Sequence, residues 1–332
     1  MKAAIIGAGF IADFHADAYQ QLRDVELSAI CDVDASRAGE MALKYGCAAY
    51  SIAEDMLKIE RPDLVSVCVP TFLHEYYVVM ALKCGAHVLC EKPLALTMEA
   101  CQRMADAANG MRRILMTGQV LRWWPEYLQI SREIRRMGPP HFLSTQRLQY
   151  ASRTSWMADP NKGGGALFDL YVHDLDFACS LLGFAPHIDA VSGIQGTEGS
   201  WRSLCTLLRW SNGTCAKIES SNLQPAKYPF TVHFRADYPA ACLQYEFRAP
   251  VNIQRDARVQ AEFTLFENGQ VQQLAIAENA QVQAFAKEIE VFVQGVKQGR
   301  SPLPSEESIA VMSLVHHVKS MLEEMPVNSI GM

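Results

Sequence analysis

Ala3-Ala4-Ile5-Ile6-Gly7-Ala8-Gly9-Phe10-Ile11-Ala12 stands almost at the start of the chain, and its reading decides the fold. Four apolar residues of β type run directly into G-x-G-x-x-A, and helical spacing follows. Gly7 permits a tight turn, and Gly9 lets the backbone approach a pyrophosphate at the helix N-terminus. Small Ala12 lets the helix pack closely on the strand, and Phe10 and Ile11 complete the turn that would face the ligand. Asp32 closes the next apolar run, 20 positions beyond Ala12. A carboxylate there accepts hydrogen bonds from the adenosine ribose hydroxyls and repels a 2'-phosphate, so NAD is the expected cofactor, with NADP possible. Arg37 leaves that choice open: it either offers a guanidinium to a phosphate or is a solvated residue on a helix face.

Outward from this turn, apolar runs at Ala3 to Ile6, Leu27 to Cys31, Leu64 to Val69, His87 to Cys90 and Ile114 to Thr117 alternate with helical stretches at 11–23, 35–45, 72–84 and 97–108. Strands without polar alternation, separated by helices, imply a doubly wound parallel sheet covered on both faces. Residues 1–120 are therefore expected to form a Rossmann domain. After Trp123-Trp124-Pro125 the pattern changes. A helix at 126–136, a strand at 141–150 and a glycine-led helix at 164–182 precede a strand-rich stretch at 188–196, 202–210, 214–221, 230–236, 241–248, 261–267 and 270–275. Turn signals such as Ser211-Asn212-Gly213 and Glu267-Asn268-Gly269 suit antiparallel hairpins. Residues 121–332 are expected to be an α+β domain for substrate binding and oligomerisation, built on a large, mostly antiparallel sheet. Its closing helices, at 281–298 and 305–323, are candidates to pack back on the first domain.

Composition narrows the partners. In 332 residues the net charge is −6 with 20% charged side chains, which gives no basic face for nucleic acid. No apolar run reaches membrane-spanning length, and the N-terminal run is too short for a signal peptide. Ten cysteines without a C-x-x-C pair, several inside apolar runs, read as free thiols of a cytoplasmic protein. No cysteine, histidine or carboxylate spacing calls for a metal.

Two later segments carry chemistry. Pro70-Thr71-Phe72-Leu73-His74 follows one apolar run, and Glu91-Lys92-Pro93 closes the next. Both fall at carboxyl ends of parallel strands, the edge where an open α/β sheet binds ligands. Pro70, Thr71, Glu91, Lys92 and Pro93 are thus candidates to contact the cofactor. His74 either lines the nicotinamide side or begins the next helix. Gly163-Gly164-Gly165 introduces Asp169 and His173, four apart and on one helix face, with Asp176 three further on. An imidazole beside a carboxylate is suited to proton transfer near neutral pH. Gln119, Arg122, Trp123 and Trp156 are candidates for a sugar-binding cleft, although core packing accounts for the tryptophans nearly as well.

Fingerprint, strand-end aspartate, E-K-P segment and G-G-G-x-L-x-D-x-x-x-H helix, in this order, resemble the glucose-fructose oxidoreductase and inositol dehydrogenase family, Gfo/Idh/MocA. The resemblance covers nearly the whole chain. It implies an NAD(P)-dependent enzyme that exchanges a hydride with a secondary hydroxyl or ketone of a sugar, cyclitol or related polyol. By resemblance Lys92 hydrogen-bonds the reacting oxygen, and Pro93 holds its loop, usually through a cis peptide. His173 is then the general acid/base, with Asp169 as its partner or a substrate ligand. Tyr171 stands where many relatives have glycine, so its phenol is a candidate to enter the site. The family also implies a homodimer or homotetramer. Two rival readings remain: a glycoside hydrolase that retains NAD, and a non-enzymatic regulator that senses dinucleotide.

Overall fold

The computed structural model describes residues 1–150, 155–250 and 259–325. Two compact units divide them. The first holds Met1–Trp123 and Gln281–Ile309, and the second holds Trp124–Ala280 and residues from Ala310 onward. The chain thus leaves the first unit after Trp123 and re-enters it at Gln281.

In the first unit β1 (Lys2–Ile6), α1 (Phe10–Gln20), β2 (Glu26–Cys31), α2 (Ala35–Tyr45), β3 (Ala48–Tyr50), α3 (Ala53–Glu60), β4 (Leu64–Val67), α4 (His74–Lys83), β5 (His87–Glu91), α5 (Met98–Met111) and β6 (Leu115–Gly118) alternate strictly. The six strands are parallel in the order β3-β2-β1-β4-β5-β6. The order reverses between β1 and β4, and at such a switch point the loops at the carboxyl ends open to form a ligand crevice. Ile5, Ile30, Leu64, Leu89 and Met116 form the buried centre, joined by Ala12 and Ala16 from α1.

The strands and helices expected in residues 1–120 are present, with β3 and α3 as additions. β3 has only three residues, and Arg61 in the left-handed region ends α3 after about two turns. Neither is long enough to show a period in the sequence. At the far end of this unit, α9 (Ala280–Lys297) buries Ile289 and Phe292 against the same core. Each fully buried side chain of this kind contributes roughly 1.5–3 kcal/mol.

The second unit contains α6 (Pro125–Met137), β7 (Phe142–Tyr150), α7 (Ser155–Ala158), α8 (Val172–Leu182) and β8 to β14, at His187–Gln195, Trp201–Arg209, Cys215–Gln224, Phe230–Asp237, Ala241–Ala249, Gln260–Glu267 and Gln270–Gln273. Their order is β14-β13-β12-β11-β7-β10-β9-β8, antiparallel throughout except for the β7–β10 pair. Phe177 of α8 packs edge-on against Tyr127 of α6 and Phe234 of β11, which fastens both helices to one face of the sheet. Arg147 of β7 forms a bidentate pair with Asp174 of α8, both buried, and also donates to the Tyr127 hydroxyl. The last helix, α10 (Ser305–Glu323), begins in the first unit and continues in the second. No described helix is long and apolar enough to cross a membrane.

Candidate active site

At the first βα turn the two glycines have different physical reasons. Gly7 has φ +99°, and a Cβ there would lie 2.4 Å from the Cys68 carbonyl oxygen, so the fold itself requires glycine. Gly9 has φ −88° and nothing within 4 Å of its would-be Cβ. Its backbone is the N-cap of α1 without a side-chain capping bond. The first amides of the helix therefore have no side-chain cap at Gly9, which fits an anionic group such as a pyrophosphate. Ala12 is fully buried behind the turn, while Phe10 is 58% exposed beside it and meets Phe14 edge-on.

Asp32 follows β2 and holds this turn. One carboxylate oxygen accepts from the Ala8 amide at 2.7 Å, and the other accepts from the Asp34 amide at 2.9 Å. Each oxygen keeps a lone pair for a ribose hydroxyl. Arg37, on α2, is 63% exposed and lies 3.3 Å from Asp34, so it adopts the solvated helix-face position.

At the carboxyl ends of β4 and β5 the chain is tightly tied. Pro70 is extended and leads into a short 3-10 turn, Thr71–Leu73, with Thr71 buried. His74 begins α4 and is buried. Its Nδ1 lies 2.9 Å from the Pro93 carbonyl oxygen and its Nε2 3.0 Å from that of Val69. This places His74 as a clamp between two strand ends rather than as a residue lining a ligand surface. Lys92 is half-buried and precedes Pro93 through a cis peptide. Glu91 was an expected cofactor contact, but its carboxylate turns inward: one oxygen lies 3.0 Å from His15 Nε2, and the other accepts from the Lys92 amide.

Within the second unit, Gly164 and Gly165 have φ +76° and +69°, so the expected helix cannot start at 164. A Cβ on Gly165 would lie 2.6 Å from the Trp201 carbonyl oxygen, which shows how closely this segment approaches β9. The chain then forms a π turn at Leu167–Tyr171 that runs into α8. From Gly163 to Cys179 every residue is buried except Asp169 and His173. Asp169 accepts from Gln149 Nε2 at 3.4 Å. Asp176, on the same turn as His173, is buried and does not share their surface.

Three cleft expectations need correction. Tyr171 is fully buried and its hydroxyl lies 2.9 Å from Thr206 Oγ1, with burial raising its pKa, so it is a packing residue of the sheet. Arg122, in the turn Val120–Trp123, is paired with Glu307 and mostly buried. Trp123 packs against the core of the first unit, with its indole nitrogen buried and lacking a hydrogen-bond partner. Gln119 is buried nearby with an unpartnered carbonyl oxygen, and Trp156 is half-buried on α7. Sequence reasoning also missed His15 and Glu288. Both are fully buried near Glu91, with one possible ligand atom from each of the three residues within 4.8 Å of the others. Their separation along the chain hides this cluster.

Residues 1–119 match a family described as "Oxidoreductase family, NAD-binding Rossmann fold", and residues 132–237 match the GFO/IDH/MocA C-terminal domain. A D-glucoside 3-dehydrogenase of Escherichia coli is 34% identical over 66% of this chain and 65% of that relative, so the match spans just under two thirds of its length. A myo-inositol 2-dehydrogenase of Thermotoga maritima is 26% identical over 98% of this chain and 97% of its own. A 3-ketoreductase from Actinomadura kijaniata, solved in complex with NADP and TDP-benzene, has the same fold: the TM-score is 0.82 at 22% identity, over 99% of this chain and 98% of that one. With both of its domains matched in order, the chain belongs to the Gfo/Idh/MocA family of NAD-binding oxidoreductases.

Proposed function

We propose that this chain is a dehydrogenase that reversibly oxidises a secondary hydroxyl of a sugar or cyclitol with NAD, NADP being the weaker cofactor. The observation that carries the reading is the exposure pattern of Gly163 to Cys179, where only Asp169 and His173 reach the surface of an otherwise buried segment. A carboxylate and an imidazole four residues apart, half-buried where all neighbours are fully packed, are placed to act on something outside the fold. Bound dinucleotide supplies the hydride acceptor. His173 takes the hydroxyl proton, and Asp169 orients the imidazole or holds a neighbouring hydroxyl. Lys92 offers its ammonium to the oxygen as negative charge develops on it. Asp32 favours NAD because its carboxylate repels a 2'-phosphate.

The activities of the relatives support a hexose ring or cyclitol as substrate, and the C3 hydroxyl of a D-glucoside is the first group to test. Free thiols at all ten cysteines support a cytoplasmic location. A homodimer or homotetramer formed through the eight-stranded sheet completes the proposal. The test is a screen of glucosides, inositols and their keto forms, followed by NADH absorbance. Accumulating NADH supports the dehydrogenase. Substrate cleavage without NADH would favour a hydrolase, and dinucleotide binding without turnover would favour a sensor.

A further inference from the structure

A chain of hydrogen bonds inside the first unit ends on Glu91. Tyr19 Oη lies 2.9 Å from Ser66 Oγ, which lies 3.0 Å from His15 Nδ1. His15 Nε2 lies 3.0 Å from one Glu91 oxygen, and the Lys92 amide donates to the other at 3.2 Å. Tyr19, Ser66 and His15 are all fully buried. One assignment satisfies every atom: Tyr19 donates to Ser66, Ser66 donates to His15 Nδ1, and His15 Nε2–H donates to the Glu91 carboxylate. Donors aligned in one direction strengthen one another in a low-dielectric interior, and the negative charge at the end of the chain fixes the imidazole tautomer. The position also leaves no slack, because a Cβ on Gly118 would lie 3.1 Å from the same Glu91 oxygen.

Glu288 of α9 stands beside this chain with no exposed surface, and neither of its carboxyl oxygens has a hydrogen-bond partner. His15 and Tyr19 from α1, Cys68 beyond β4 and Glu91 from β5 face it. An ionised Glu288 would be desolvated, would lack donors and would be repelled by Glu91, whereas a neutral acid escapes most of these costs. Burial, and then the charge on Glu91, push its carboxyl pKa well above the usual range.

We infer that Glu91 is a positioning residue for Lys92, held as the sole anion of this buried cluster by the Tyr19–Ser66–His15 chain, with Glu288 kept beside it as a neutral carboxylic acid. The inference rests on Lys92 acting in turnover as proposed above. Glu91 anchors the main chain at Lys92 directly, its carboxylate accepting a hydrogen bond from the Lys92 amide. A second negative charge at Glu288 would compete for the His15 proton and loosen that anchor.

The protonation state has a test that needs no turnover. A raised folded-state value for an acid means that its contribution to stability is full below the ordinary value of 4.5 and is lost as pH rises from there toward the folded value. Glu288→Gln carries no such loss, so its Tm relative to wild type should rise as pH increases above the ordinary value of 4.5. Infrared spectra of the wild type should contain a protonated-carboxyl carbonyl band that disappears in Glu288→Gln. A Tm difference independent of pH, absence of the band, or one divalent metal per chain in the purified protein would each overturn the inference. For the link to Lys92, Glu91→Gln should lower kcat about tenfold or more, with dinucleotide affinity changed much less. Should that variant fail to fold, Ser66→Ala should lower kcat in the same selective way by removing the donor to His15. Unchanged kcat in a folded variant of either kind would refute the positioning role. A wild type inactive on every polyol would instead defeat the functional reading, while the thermal and infrared results would still decide the state of the cluster.

Discussion

The imidazole of His74 bridges two strand ends, with Nδ1 2.9 Å from the carbonyl oxygen of Pro93 and the opposite nitrogen 3.0 Å from that of Val69. The chain that precedes the β5 loop is thereby tied to the chain that follows Lys92. Both carbonyls favour an imidazolium, but burial is the larger effect and lowers the His74 pKa.

The first prediction follows from this clamp. A depressed histidine pKa contributes stability that is full above the ordinary value of 6.5 and is lost as pH falls below it. His74→Ala should destabilise the protein by about 2–4 kcal/mol near neutrality, from the lost hydrogen bond and the cavity left behind. Urea unfolding at several pH values should show this gap shrinking below pH 6.5. A neutral imidazole donates to only one of the two carbonyls at a time, and a gap that stays constant as pH falls would contradict a His74 whose pKa is lowered by burial.

Gly7 and Gly9 should respond oppositely to alanine. Gly7→Ala forces a Cβ to within 2.4 Å of a backbone oxygen at φ +99° and should lower stability by several kcal/mol, on the order of 3. Gly9→Ala meets no protein atom and should fold with near-normal Tm, yet bind NADH about tenfold more weakly or worse. Fluorescence titration of NADH beside thermal melts separates the two. Normal binding by Gly9→Ala would remove the pyrophosphate from this turn.

Asp32→Ala should do two things at once. It removes the repulsion toward a 2'-phosphate, so the preference for NAD over NADP should narrow. It also frees the Ala8 and Asp34 amides, so both dinucleotides should bind more weakly than the ribose contacts alone would explain. Titrations with both cofactors measure each effect, and an unchanged preference would overturn the assignment of Asp32.

Neighbours on α8 should separate structure from chemistry. Asp174→Ala leaves Arg147 buried without its bidentate partner and should cost about 3–5 kcal/mol in denaturant unfolding. His173→Ala removes a half-buried side chain outside that bidentate pair and should cost less. Equal losses in the two variants would return His173 to a packing role.

Much of this was legible in the sequence for identifiable reasons. Strands buried on both faces announce themselves as apolar runs, and the hairpins of the second unit carry Asn-Gly turns, so both sheets were readable. Short elements such as β3 lack a period, and the π turn at Leu167–Tyr171 alters which residues share a face. Tyr171 is a site candidate only through the glycine of relatives at that position, a comparison that carries no packing information, and its hydroxyl bonds Thr206 instead. Arg122 and Trp123 stood in a stretch rich in cleft chemistry, but their partners, Glu307 and the first unit's core, are far away in the chain. The cluster of His15, Glu91 and Glu288 was invisible for the same reason, since only the packing of α9 brings it together.

The central claim is that His173 removes the hydroxyl proton while Lys92 steadies the oxygen. The most direct measurement is the pH dependence of kcat/KM for oxidation of a substrate found in the screen, in wild type, Lys92→Ala and His173→Ala. Both variants should lose about 100-fold or more in turnover, with dinucleotide affinity little changed. Wild-type kcat/KM should rise with pH through one ionisation near neutrality, and that limb should vanish in His173→Ala. A His173→Ala enzyme with near-normal turnover and the same limb would contradict the account.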